Sequence, residues 1–149
     1  MSKPAILAIL FLCMAVNCNE QTSDIRLDLP DYMQLFYKFP DKNGKMLIYY
    51  HSGECSICYG ILCELSKEFP ELPVISISSS IDTIIVEYYH ENIKFRGISL
   101  HDKDSLFQKA NNAILSKNRI FLINSDYKVL AAENELDEKI IKSIKEKIY

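Results

Sequence analysis

The chain is short of almost everything that would mark it for a membrane span, a nucleic acid or a disulfide-knitted scaffold. Its longest apolar run, Ala5 to Val16, is twelve residues, where a bilayer needs about 20. Basic residues form no cluster. The 17 lysines and arginines are spread among 20 acids, for a net charge of −3, so nothing offers a phosphate backbone a matching surface. Cysteine is scarce as well. Of five, Cys13 and Cys18 fall in or beside the N-terminal apolar run, leaving Cys55, Cys58 and Cys63. Three are too few for a structural disulfide framework, but they suffice for one redox pair and a spare. No repeats or low-complexity tracts occur, and residues 18–149 hold enough chain for one ordinary domain but not two.

What is present begins with an export signal. Lys3 supplies a short positive region ahead of the apolar run, the arrangement of a secretory signal peptide over residues 1–17. Ala15-Val16-Asn17-Cys18 resembles a bacterial lipobox, in which Cys18 is lipidated and becomes the first mature residue. Asn17 stands where a small residue is usual. The plainer reading is a cleaved signal with an incidental cysteine. Cys13, followed by further apolar residues, is the poorer lipidation candidate. Residues 18–24 are then a polar tether, and the domain runs over 25–149.

Along that domain Ile25–Leu29 alternates like an edge strand, and residues 31–39 suggest a helical turn capped by Asp31. After a turn at Asp41–Gly44 the elements alternate. Met46–Tyr50 is a predicted strand, and Cys55–Phe69 a helix ended by Pro70 and Pro73. Val74–Ser78 is a strand. A helix capped by Asp82 runs to Glu91, followed by a strand at Lys94–Leu100 and a short helix at Lys103–Asn111. Arg119–Asn124 and Val129–Glu133 form a hairpin about residues 125–128. The last helix, Asp137–Tyr149, places Ile140, Ile141, Ile144 and Ile148 on one face. The order β–α–β–α–β–α–β–β–α implies a mixed α/β sheet with helices on both faces.

The chemistry concentrates in Cys55-Ser56-Ile57-Cys58, set between an apolar strand and a helix. The spacing lets two sulfurs close one small ring. The helix dipole and the free N–H groups of the first turn stabilise a thiolate on Cys55, the form that attacks disulfides. Cys58 lies one turn in, where burial raises its pKa, and suits the resolving role. A bare Cys-x-x-Cys also serves as half of a zinc site, or as a permanently oxidised structural pair. His51, Cys55, Cys58 and Cys63 offer four soft donors in a short stretch, although their spacing matches no common zinc module. Cys63 reads first as a small buried hydrophobe on the core face, and second as an alternative partner for Cys58. His90 and His101 read as surface residues, and Ser78-Ser79-Ser80 as a loop and cap. Tyr32, Phe36, Tyr37 and Phe39 cover one edge of the core, or line a peptide groove.

The element order, the Cys-x-x-Cys at the first strand-to-helix junction and the hairpin Ile120-Phe121-Leu122-Ile123-Asn124-Ser125-Asp126-Tyr127-Lys128-Val129-Leu130 resemble the thioredoxin-like superfamily. More narrowly they resemble membrane-anchored extracytoplasmic thiol–disulfide oxidoreductases of bacteria (TlpA-like, redoxin). The resemblance covers roughly Lys45 to Tyr149. It implies a thioredoxin-like mixed β-sheet with helices on both faces, catalysis by Cys55 and Cys58 without a cofactor, and protein thiols or disulfides of the cell envelope as partners. It also implies an exported, lipid-anchored protein on the outer side of a membrane. Four departures stand against it. The cis-proline that precedes the hairpin falls near Asn118, where no proline exists. The tryptophan usual before the first cysteine is Glu54, whose charge opposes a thiolate and favours a reducing poise over a strongly oxidising one. The helix-kinking proline is Cys63. The buried carboxylate or amide beneath the second cysteine is Tyr49, a hydrogen-bond donor but a poor base. A catalytically inactive binding module is therefore the second reading, and a soft-metal carrier the third.

Overall fold

The computed structural model describes residues 24–34 and 44–149. The expected leader, the Cys18 lipidation site, most of the tether and the aromatics Phe36, Tyr37 and Phe39 lie outside the described residues. In chain order the elements are α1 (Asp31–Gln34), β1 (Lys45–His51), α2 (Ser56–Glu68), β2 (Val74–Ser78), α3 (Thr83–Asn92) and β3 (Ile98–His101). A 3-10 turn (Lys103–Ser105) follows, then α4 (Leu106–Ala110), α5 (Asn112–Leu115), β4 (Ile120–Asn124), β5 (Val129–Glu133) and α6 (Glu138–Ile148).

Five strands form one sheet in the order β3-β2-β1-β4-β5. β1 pairs in parallel with β2 and antiparallel with β4, β2 is parallel to β3, and the β4–β5 hairpin is antiparallel. Side chains alternate across the sheet, so each strand feeds two cores. Met46, Ile48, Tyr50, Ile75, Ile77, Phe121 and Ile123 face one side, where Phe107 of α4 and Leu27, Leu29 and Met33 cover them. Leu47, Tyr49, Val74, Ile120 and Leu122 face the other, against Tyr59, Leu62 and Leu65 of α2 and Ile141 and Ile144 of α6. Asp82 caps α3 by accepting from the N–H groups of Ile84 (3.0 Å) and Ile85 (3.2 Å), and Asp137 caps α6 through Ile140 (2.7 Å).

Three local expectations change. The strand expected from Lys94 starts at Ile98, because residues 93–97 make the turn out of α3. Phe95 N–H reaches back to the His90 carbonyl (2.9 Å), Lys94 takes a positive φ of 52°, and Gly97 passes so close to the Val74 carbonyl that a Cβ would collide with it. The helix expected over 103–111 is broken. Asp102 draws the N–H groups of Phe107 (2.8 Å) and Gln108 (3.1 Å) onto its carboxylate, and Asp104 and Ser105 turn left-handed to allow it. Residues 25–29 make a single bridge, Arg26 to Lys128, in place of a strand. They are held at their far end by Asn111, whose amide both donates to Asp28 O and accepts from Asp28 N–H (2.8 Å each).

Candidate functional site

β1 ends at His51, and residues 52–55 carry the chain up to the N-terminus of α2. Gly53 sits at φ +82°, and a Cβ there would stand 2.6 Å from Ser80 Cβ, so only glycine makes the passage without strain. Its carbonyl accepts from the buried Tyr59 hydroxyl (2.8 Å), and its N–H donates to His51 Nδ1 (3.1 Å). The loop that presents the cysteines is thus pinned from both sides. Cys55 is the N-cap residue of α2. Its sulfur accepts from the Cys58 N–H at 3.3 Å, and the two thiols lie near disulfide distance.

The two sulfurs are unequal. Cys55 is half-buried, and its thiol is held below the usual range, chiefly by a hydrogen bond from the Cys58 thiol. The N–H groups of Cys58 and Ile57 and the charge of Arg119 add to this, against a smaller cost of burial. Cys58 is pushed up, first by burial and then by Cys55. Tyr49 and Arg119 oppose the rise, Tyr49 through a hydrogen bond from its hydroxyl. Tyr49 is itself fully buried, and its own pKa is raised by that burial and by Cys58.

His51 is fully buried, its ring stacked on Tyr49 at 5.2 Å. Because Nδ1 accepts from Gly53, its proton sits on Nε2 and is donated to Ser76 Oγ (2.7 Å). Ser76 in turn donates to His90 Nε2 (3.2 Å). Burial, then His90 and Arg119, push His51 down to about 4. Both ring nitrogens are therefore spent inside the fold. Cys63 is exposed, in an open groove beside Lys67, Lys94 and Arg96. The four donors His51, Cys55, Cys58 and Cys63 are not gathered, and among the described residues no group of three or more His, Cys, Asp or Glu could hold a metal ion.

Several placements differ from the sequence reading. Cys63 is not on the core face of α2, because the buried stripe runs Tyr59–Leu62–Leu65 and Cys63 lies about 100° past Leu62. His90 is buried by its bond to Ser76. His101 is partly buried, with an Nδ1 that finds no partner among the described residues. Glu54 is exposed, and its carboxylate accepts from Ser80 Oγ (3.1 Å). Asn118 lies in a loop without a cis peptide bond, its amide donating to the Ile114 carbonyl (3.3 Å). Arg119, which sequence reasoning passed over, is the nearby charge that acts on both thiols. Only the β1–β4 register, with Tyr49 opposite Ile120, reveals that it belongs beside β1's end.

No protein-family model matches the chain, and no curated protein does. Solved structures do. The thioredoxin domain of a thiol–disulfide oxidoreductase from Bacteroides vulgatus superposes with a TM-score of 0.61 at 15% identity, covering 72% of this chain and 81% of that one. A thiol–disulfide oxidoreductase from Bacteroides fragilis gives 0.57 at 22% identity, over 70% and 82% of the two chains. An exposed lipoprotein thioredoxin from Streptococcus pneumoniae gives 0.50 at 18% identity, over 70% and 86%. With its central β3-β2-β1-β4-β5 sheet, helices on both faces and a Cys-x-x-Cys opening α2, the chain has a thioredoxin-like fold, similar in structure to bacterial thiol–disulfide oxidoreductases.

Proposed function

We propose that the protein is a thiol–disulfide oxidoreductase of the bacterial cell envelope, acting through Cys55 and Cys58. The observation that carries this reading is the asymmetry of the pair. A half-exposed sulfur at a helix N-cap, with a lowered pKa, lies against a more buried one whose pKa is raised. In the reducing direction the Cys55 thiolate attacks one sulfur of a substrate disulfide. A mixed disulfide forms and one substrate thiolate leaves. Cys58, deprotonated, then attacks Cys55 Sγ, which releases the second substrate thiolate and leaves a Cys55–Cys58 disulfide. Two electrons have passed to the substrate, and a dithiol donor of the envelope returns them. The oxidising direction is the same sequence reversed. Tyr49 supports the step at Cys58 by donating to its thiolate, and it does so without serving as a base. Glu54 faces Ser80, and the Arg119 cation favours the thiolate. The Arg119 cation offsets part of the cost that the Glu54 charge sets on the thiolate, and a reducing poise remains the reading.

Substrates on this reading are protein thiols or disulfides. The leader, the Cys18 lipobox and the similarity to an exposed lipoprotein thioredoxin support export and attachment to a membrane through Cys18. The test is insulin reduction by the full chain in mild detergent with a dithiol donor. Turnover abolished by Cys55→Ser supports the reading. No turnover, and no exchange with dithiothreitol, removes it. A binding module without catalysis then takes its place. That second reading draws on the exposed Ile57, Ile81, Ile84 and Tyr88, which offer a partner apolar surface on the first turn of α2 and on α3 with the loop before it.

A further inference from the structure

Arg119 is a cation near the cysteines that no acid among the described residues pairs with. It lies immediately before β4, and its backbone is fixed on both sides. Its N–H donates to the Glu133 carbonyl (2.8 Å), and its carbonyl accepts from the Tyr50 N–H (2.9 Å). The side chain is exposed. Ion pairs among the described residues join Lys128 to Asp24 and Lys145 to Glu68, and none reaches Arg119. An exposed guanidinium on a fixed backbone, with no ion pair among the described residues, is available to a ligand.

The space beside it has matching chemistry. A cleft of about 210 Å³ is walled by Arg119, Tyr50, Ser52, Ser79, Gln108 and Asn112, with no acidic residue in its lining. The Tyr50 hydroxyl is already donated to Asp102 behind the wall (3.2 Å), so the hydroxyls of Ser52 and Ser79 and the amides of Gln108 and Asn112 are the groups that can complete the hydrogen bonds of an anion held by Arg119. Ser52 lies three residues before Cys55, so one wall of the cleft belongs to the same pinned loop that carries the sulfur. Glu54, the acid nearest in sequence, is turned to Ser80. The charge of Arg119 is the weakest of the influences on Cys55, Cys58, Tyr49 and Tyr50, the contribution of a cation nearby.

We infer that Arg119 is a specificity-determining residue, and that the cleft takes the carboxylate of an acidic side chain flanking the substrate's disulfide. The inference rests on thiol–disulfide exchange at Cys55 and adds to it the class of substrate. The guanidinium grips the carboxylate and holds the neighbouring sulfur in line with Cys55, while a basic flank meets like charge. Being exposed and screened, the preference weakens with salt.

The test uses the reduced full chain in mild detergent and two synthetic peptide disulfides. They are identical except that glutamates or lysines flank the cystine, and mixed-disulfide formation is followed by acid quench and mass spectrometry. At low salt the glutamate peptide is expected to react about tenfold faster than the lysine peptide, with the ratio falling toward one in about 0.5 M salt. Arg119→Gln should bring the ratio to about one at low salt without changing the melting temperature, and Arg119→Lys should restore most of the preference. A purely structural Arg119 would not move this ratio. Equal rates for the two peptides in the wild type, or a preference that survives Arg119→Gln, overturn the inference while exchange with dithiothreitol still stands. Failure to exchange even with dithiothreitol overturns the redox reading, and this inference with it.

Discussion

Acid should unfold this protein earlier than its carboxylates alone would, through one side chain. His51 is fully enclosed and neutral, its Nδ1 accepting from Gly53 and its Nε2 donating to Ser76, with Tyr49 stacked on its face and Tyr59 against its edge. Protonating Nδ1 would set two donors against each other at Gly53, in a space where His90 and Arg119 already disfavour positive charge. The folded pKa is accordingly about 4, against 6.5 for the free side chain. The unfolded chain therefore takes up this proton first. The contribution of His51 is full above pH 6.5, shrinks as pH falls toward 4, and is gone below that. At 1.36 kcal/mol per pKa unit the loss across that window is about 3 kcal/mol. Urea unfolding of the wild type and of His51→Gln at pH values between about 7.5 and about 4 measures it. His51→Gln is expected to be less stable near neutrality, and the gap should close by about 3 kcal/mol on acidification, the carboxylates being common to both. Because His90 shares the Ser76 network, the comparison is repeated in a His90→Gln background. A gap constant with pH would refute the buried neutral imidazole.

Gly53→Ala should destabilise the fold by about 1–3 kcal/mol, from a positive φ and the Ser80 Cβ contact. A paired Ser80→Gly should recover part of the loss in thermal unfolding, and an unchanged melting temperature for the single variant would contradict the packing. Tyr49→Phe removes the donor to Cys58 and should raise the Cys58 pKa further. The rate at which Cys58 resolves a mixed disulfide would then fall at neutral pH, while first attack by Cys55 stays the same. Cys63 should be alkylated in the native protein, and Cys63→Ser should leave exchange unchanged. Protection of Cys63 until unfolding would contradict its exposure.

The parts of the fold that rest on local chemistry could be read from the sequence. The apolar runs of β1 and β2, the Asp82 and Asp137 caps and the hairpin over 120–133 each carry their own signal. What escaped is non-local. His90 is buried because Ser76, 14 residues away on β2, supplies a partner. The late start of β3 depends on Gly97 meeting the Val74 carbonyl, and the broken helix after it on Asp102 capturing two N–H groups. The placement of Cys63 failed on periodicity, since eight residues at about 100° each overshoot two turns by about 80°. The position of Cys55 and Cys58 at the start of α2 was legible because a helix start needs only its neighbours. Arg119 was not, because strand pairing, not spacing, sets it beside the end of β1.

The central claim is that Cys55 and Cys58 form one exchangeable redox pair, and peptide mapping of the oxidised full chain by mass spectrometry tests it most directly. A Cys55–Cys58 disulfide that a dithiol opens and an oxidant restores, with Cys63 remaining a free thiol, is the expected result. A Cys58–Cys63 disulfide, or thiols that stay reduced under every oxidant tried, would contradict it.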